Sequence, residues 1–208
     1  MNNFSPHMLK TFKECPKKYY YKYAAKISVL QKATPFEKGK KVHALANYYL
    51  RGDDITKLEK VLTSDETQVW NILKSNEFFQ KTYVESEYNL SCKIGDFWVG
   101  GRLDALVKDG NNYYILDYKT GSIPQNPEND YQTMIYLLSA AKFLKTFDSL
   151  TFIYIDLKNN LNHKIEFTKE REKIYTEDLI KICTQITSAQ NFPSNPAGCK
   201  FCEYGKFC

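Results

Sequence analysis

Two stretches of the chain combine acids and a lysine at spacings that suit chemistry on a phosphate: Gly101-Arg102-Leu103-Asp104-Ala105-Leu106 and Tyr114-Ile115-Leu116-Asp117-Tyr118-Lys119-Thr120-Gly121. Side chains alternate along a strand, so Asp117 and Lys119 project from one face. A four-residue loop at Asp109-Gly110-Asn111-Asn112 puts Asp104 directly opposite Asp117. A tighter Asp109-Gly110 turn shifts the pairing by two residues and keeps Asp104 on that face; only an odd-length loop turns it away. Two neighbouring carboxylates repel unless a cation sits between them, and hard oxygen donors suit Mg²⁺ or Mn²⁺. A lysine on the same face holds an attacking water or stabilises charge growing on a phosphate. An isolated Asp-x-Lys is usually a pair of solvated charges. This one ends a strongly apolar strand and has a second Asp across the turn.

Three further side chains are candidates for the same crevice. His43 follows Gly39-Lys40-Lys41-Val42 on a helix stripe of small residues (Gly39, His43, Ala46, Leu50) that lets another element approach closely. A lone histidine is more often a core or surface residue, but imidazole also ligates Mn²⁺. Gln132 and Tyr136 are four apart and share a helix face. Gln132 suits a hydrogen bond to a catalytic group or the phosphate, and Tyr136 suits stacking or lining the cleft.

Cysteine makes a second constellation. Cys199, Cys202 and Cys208 form C-x2-C-x5-C in a turn-rich tail, and Cys15-Pro16 is the candidate source of a fourth ligand. Four thiolates suit Zn²⁺ or an iron–sulfur cluster equally. Either would clasp the N- and C-terminal segments together. Cys92 and Cys183 fall on apolar stripes and read as small core residues.

The elements that must position these groups follow from periodicity. Ser5-Pro6 starts a helix, a Lys/Tyr-rich stretch spans Lys17–Tyr23, and Phe36–Leu50 is a second helix. Shorter helices are expected near Ile55–Leu62 and Glu66–Lys74. Alternation then predicts a strand from Glu85 to Ile94 and two more over Phe97–Val107 and Tyr113–Lys119. A helix from Asp130 to Lys145, strands at Leu150–Asp156 and Lys164–Phe167, and a helix over Glu170–Ala189 complete the pattern. Helices, a strand meander, a crossover helix and a further strand imply an α/β core with a mixed sheet.

Composition is that of an ordinary globular domain, with 43% hydrophobic and 25% charged residues. A net charge of +5 favours an anionic partner without requiring one. The 16 Tyr and 13 Phe can stack on bases, though most must be core. No apolar run reaches membrane-spanning length, and the opening residues lack the regions of a secretory signal, so a cytoplasmic protein without disulfides is expected.

Taken together these residues resemble the RecB-type branch of the PD-(D/E)xK nuclease superfamily. The likeness is to its iron–sulfur members: the CRISPR-associated exonucleases, their stand-alone phage relatives and the nuclease module of AddB. The stretch from Ser5 to Pro16 looks like that family's Ser-x-x-x-Leu-x-x-Phe-x-x-Cys-Pro entry. Gly39–His43 resembles its histidine motif, Gly101–Asp104 and Leu116–Gly121 its central motifs, and Tyr131–Tyr136 its following helix. The C-terminal Cys triplet completes the order. The second acid is Asp117, where many relatives carry Glu.

The resemblance implies a restriction-endonuclease-like core within one nuclease domain, 1–208. Its parts are a helical region (1–82), a catalytic sheet (83–168), a helix (169–190) and a cysteine tail (191–208). It implies His43, Asp104, Asp117 and the Tyr118 carbonyl as ligands of Mg²⁺ or Mn²⁺, with Lys119 as catalytic lysine and Gln132 and Tyr136 in support. It turns the Cys15, Cys199, Cys202 and Cys208 set toward a [4Fe–4S] cluster. Arg102, Lys17, Lys18 and Tyr20 are expected to meet DNA backbone and bases. The expected activity is a stand-alone DNA exonuclease acting on single strands or ends. Its rivals are an endonuclease trimming DNA for an integration or recombination partner, and a non-catalytic DNA-binding module.

Overall fold

The computed structural model describes residues 3–29, 37–199 and 202–208. In chain order these form β1 (Asn3–Phe4), α1 (Pro6–Glu14), α2 (Pro16–Tyr19) and a π-turn over Tyr20–Ala24. Next come α3 (Glu37–Leu50), α4 (Thr56–Glu59), α5 (Ser64–Lys74), β2 (Thr82–Ile94), β3 (Phe97–Asp109) and β4 (Asn112–Lys119). The series ends with α6 (Tyr131–Leu144), β5 (Ser149–Asp156), β6 (Leu161–Glu166), α7 (Lys169–Ser188) and α8 (Pro196–Cys199). Among the described residues no helix is long and apolar enough to cross a membrane.

The sheet is mixed, as the element pattern predicts. β2, β3 and β4 form an antiparallel meander, β4 and β5 are parallel, and β5 and β6 antiparallel. Parallel neighbours need a crossover, and α6 supplies it. β4 and β5 are buried on both faces, which is why they read as near-continuous apolar runs. Ile115, Phe152 and Tyr154 pack with α1, α6 and α7 through Leu9, Ile135 and Leu179. Leu116, Ile153 and Ile155 pack with α3 and α5 through Leu45, Trp70 and Leu73.

The β3–β4 register pairs Ala105 with Leu116 and Asp109 with Asn112. This is the register expected for the four-residue loop, but the turn itself is only Gly110-Asn111, with Gly110 at φ +59°. A side chain at that φ is strained, so glycine belongs there.

Several expectations need correcting. The helix expected over Ile55–Leu62 is one turn, Thr56–Glu59, and Leu58 and Val61 stay exposed, so little packing holds a longer helix. The strand expected over Lys164–Phe167 runs from Leu161 to Glu166, since its pairing with β5 begins at Asp156. Phe36, the expected start of α3, lies outside the described residues. β1 was not anticipated: two residues are too few to show a period.

β1 shapes the site. Trp98 pairs with Asn3 on one side and Lys93 of β2 on the other. Ala105 likewise pairs with Leu116 of β4 and Ser86 of β2. β1 and β4 therefore share one edge of β3, and residues 100–104 have no strand beside them there. Asp104 stands at the end of this gap, next to the last β3–β4 pair.

Candidate active site

Asp117 lies near the end of β4 with 2% of its surface exposed. Its Oδ1 accepts a short hydrogen bond from Gln132 Nε2. Lys119 Nζ is 2.7 Å from Oδ2. That approach is a buried ion pair, so the ammonium answers the charge on Oδ2. Lys119 Nζ also donates to Gln132 Oε1 at 3.4 Å. Gln132 is fixed by position: Asp130 caps α6 by accepting from the Gln132 backbone N–H at 2.9 Å. Burial and then the Asp104 charge push the Asp117 carboxyl up to about 6, against the pull of Lys119. Burial alone would lower the Lys119 pKa, but the charge and contact of Asp117 raise it, keeping the ammonium protonated.

Asp104 stands one position past the last β3–β4 pair, level with Asp117. Its Oδ2 accepts from the Tyr118 backbone N–H at 2.9 Å, and its Oδ1 is 3.2 Å from His43 Nδ1. His43 Nε2 donates to the Tyr118 carbonyl at 3.0 Å. The histidine reaches this place because Val42, Leu45 and Ala46 bury the neighbouring face of α3. Gly39 also brings the helix so near β4 that a Cβ there would lie 3.1 Å from Thr120 Oγ1. Burial lowers the His43 pKa, and the hydrogen bond and charge of Asp104 outweigh it to give a net rise.

Imidazole nitrogen, carboxylate and backbone carbonyl thus already touch, with ring protons bridging them. This donor set fits a small divalent cation. The crowding of Asp104 and Asp117 points the same way.

Tyr136 has a different place from the one expected. It is 5% exposed, and its hydroxyl donates to the Arg102 carbonyl at 2.8 Å. It fills the gap in the β3 edge and satisfies a backbone acceptor that no strand reaches. Gly101 makes room for it, since a Cβ would lie 2.9 Å from the Tyr136 ring. Tyr136 therefore shapes β3 rather than lining the cleft.

Glu87 was missed by sequence reasoning. Among the described residues, one group of metal-ligating atoms lies within 4.8 Å of one another: His43, Glu87 and Asp104. Glu87 sits mid-strand at φ +48°, a left-handed conformation costing about 1–3 kcal/mol for a non-glycine residue. Arg102 is mostly exposed, and its Nε lies 2.9 Å from Glu87 Oε2.

The four clasp cysteines gather away from this crevice, where the N- and C-terminal segments meet. Cys15 Sγ accepts from the Lys18 and Asn195 backbone N–H groups, each at 3.4 Å. Cys202 Sγ accepts from Tyr204 N–H at 3.4 Å. Burial and then the neighbouring Cys199, with Cys202 and Cys15, raise the Cys208 thiol pKa. No three of these sulfurs close to within 4.8 Å of one another. Cys92 and Cys183 are buried core residues.

The expected DNA contacts divide. Lys18 is paired with Glu203 at 3.2 Å, so its charge is already answered within the clasp. Lys17 lies over the Tyr20 and Tyr21 rings, and Tyr20 packs on Phe192 while keeping 37% exposure.

A sequence profile of the PD-(D/E)XK nuclease superfamily matches residues 3–86 and 69–208. The CRISPR-associated exonuclease Cas4 of Francisella tularensis subsp. novicida (strain U112) is 28% identical over 127 residues, 58% of this chain and 61% of that protein. The match thus spans less than two thirds of that relative's length. The structure of a candidate exonuclease from Eubacterium rectale superposes with a TM-score of 0.59 at 10% identity, over 99% of this chain and 88% of that one. At that identity the likeness speaks for the fold alone.

Proposed function

The chain belongs to the PD-(D/E)XK nuclease superfamily, and from that premise we propose that it is a metal-dependent deoxyribonuclease acting as an exonuclease on single strands or DNA ends. The observation that carries this reading is the buried Asp117 carboxylate. It is held by Gln132 on one oxygen and faced by Lys119 on the other, beside the Asp104–His43 pair.

His43, Asp104, Asp117 and the Tyr118 carbonyl would hold Mg²⁺ or Mn²⁺. Such a cation supplies Lewis acidity to the phosphate and makes a water acidic enough to attack near neutral pH. The rest falls to the chain's own groups. Gln132 fixes Asp117 Oδ1, which leaves Oδ2 facing the crevice. Lys119, kept as an ammonium by its acidic neighbour, orients the attacking water and stabilises negative charge on the phosphate oxygens. His43 bridges Asp104 and the Tyr118 carbonyl, and to hold the cation one of its ring nitrogens would release that contact and carry no proton. Arg102, at the crevice mouth, is placed to meet a backbone phosphate.

At the other end we assign Cys15, Cys199, Cys202 and Cys208 to a structural [4Fe–4S] cluster, with Zn²⁺ as the alternative. Backbone N–H groups directed at the Cys15 and Cys202 sulfurs are in keeping with either. Iron and sulfide with broad visible absorption would support the cluster; a colourless protein with one zinc would overturn it.

A second reading keeps the same chemistry but has the protein trim DNA as an endonuclease for an integration or recombination partner. End-labelled linear DNA compared with closed circles separates the two. The nuclease reading itself is tested with labelled single- and double-stranded DNA plus Mn²⁺ or Mg²⁺. Metal-dependent cleavage lost in Asp117→Ala is expected, and cleavage by that variant at the parent's rate would sink the assignment.

A further inference from the structure

Ser86 pairs with Ala105 and Tyr88 with Leu103, so Glu87 stands level with Asp104 on the neighbouring strand. Across β2, β3 and β4 the acids therefore run in the order Glu87, Asp104, Asp117. A Glu87 oxygen and ligand atoms of both His43 and Asp104 lie within 4.8 Å of one another. Asp117 is not part of that group. A carboxylate three-quarters buried beside a second carboxylate is unfavourable unless positive charge is near. Arg102 supplies the charge from outside, with its Nε 2.9 Å from Glu87 Oε2.

The two sides of this pair differ in freedom. Arg102 is held at its backbone, where Tyr136 donates to its carbonyl, while its side chain is 65% exposed and able to swing. Glu87 is fixed by the β2–β3 ladder on either side.

We propose that Glu87 is a further oxygen ligand of the site, binding a divalent cation together with His43 and Asp104, and that Arg102 is the counter-ion this cation displaces. Displacement frees the guanidinium for a DNA phosphate, so cation binding and substrate capture are linked through one side chain. The inference rests on the nuclease reading for its purpose, but metal binding alone tests it.

Mn²⁺ is titrated into the full-length protein by calorimetry and by the loss of free-Mn²⁺ electron-spin signal, without DNA. Glu87→Gln should weaken Mn²⁺ binding by roughly tenfold or more, with partial recovery in Glu87→Asp. Arg102→Gln should tighten Mn²⁺ binding several-fold and weaken binding of single-stranded DNA. Parent-like Mn²⁺ affinity in a folded Glu87→Gln protein overturns the ligand assignment. If Glu87→Gln does not fold, unchanged Mn²⁺ affinity in Arg102→Gln overturns the displacement and with it the proposal. A parent protein that binds Mn²⁺ but never cuts DNA fails the nuclease reading instead, so the two failures are distinct.

Discussion

The crevice and the cysteine clasp are both polar sites, built in opposite ways. In the crevice each acid is set by a rigid element. Asp104 takes the Tyr118 N–H, and Asp117 is tied to a glutamine that Asp130 positions at the start of α6. Cys15, Cys199 and Cys202 are half-buried and Cys208 is exposed, held mainly by N–H···S contacts and an aromatic stack of Tyr21, Tyr204 and Phe207. The crevice keeps its geometry through packing. On the proposed cluster the clasp would depend on the group its four sulfurs hold, and that difference predicts how each region responds to damage.

The largest effect should come from Asp117→Asn, which leaves the crevice's shape and removes its buried charge. Cleavage is expected to fall about 10²–10³-fold in a discontinuous assay on labelled DNA. The same variant should be more stable than the parent at pH 8. Burial and Asp104 raise the folded-state pKa from 3.8 to about 6, so ionised Asp117 destabilises the fold above that pH. Its penalty is relieved as pH falls from about 6 to about 4, and the variant's advantage should vanish over that window. An advantage that persists at pH 4 would contradict the electrostatic account.

Damage at the clasp should reverse this pattern. Cys15→Ser is expected to lower Tm by roughly 5–10 °C, as loss of a cross-link over most of the chain would. Limited proteolysis should then cut first around residues 191–199. The crevice of the folded fraction should still bind Mn²⁺; loss of that binding would show that the regions are not independent.

Smaller effects probe the packing behind the crevice. Gly101→Ala forces a Cβ against the Tyr136 ring and should cost about 1–3 kcal/mol in denaturant unfolding. Tyr118→Phe removes a buried hydroxyl with no hydrogen-bond partner among the described residues. It should be neutral or stabilising by up to about 1 kcal/mol; a clear loss would reveal a partner for that oxygen.

Much of this was legible in the sequence where a local rule governs. Apolar runs on either side of the turn residues Asp109–Asn112 located β3 and β4, and either even-length loop put Asp104 and Asp117 on one face while leaving the register open. Asp130 announced the start of α6 because an Asp N-cap is a local signal. What escaped depends on contacts between distant residues or on single backbone angles. Glu87 read as one strand residue among several, because its reach toward His43 and Asp104 accompanies a positive φ that no residue type announces. The role of Tyr136 required knowing that Gly101 lies under its ring. β1 is visible only through its pairing with Trp98 and Val99.

Because β1 and β4 divide one edge of β3, a tyrosine hydroxyl stands at the Arg102 carbonyl where a sheet would place a strand. A hydroxyl withdraws with a single rotamer change, whereas a ladder must unzip. Amide protons of residues 100–104 that face this seam should therefore exchange with solvent faster than those of 105–109. The molecule would breathe from its middle, beside the place where a nucleic-acid strand has to enter.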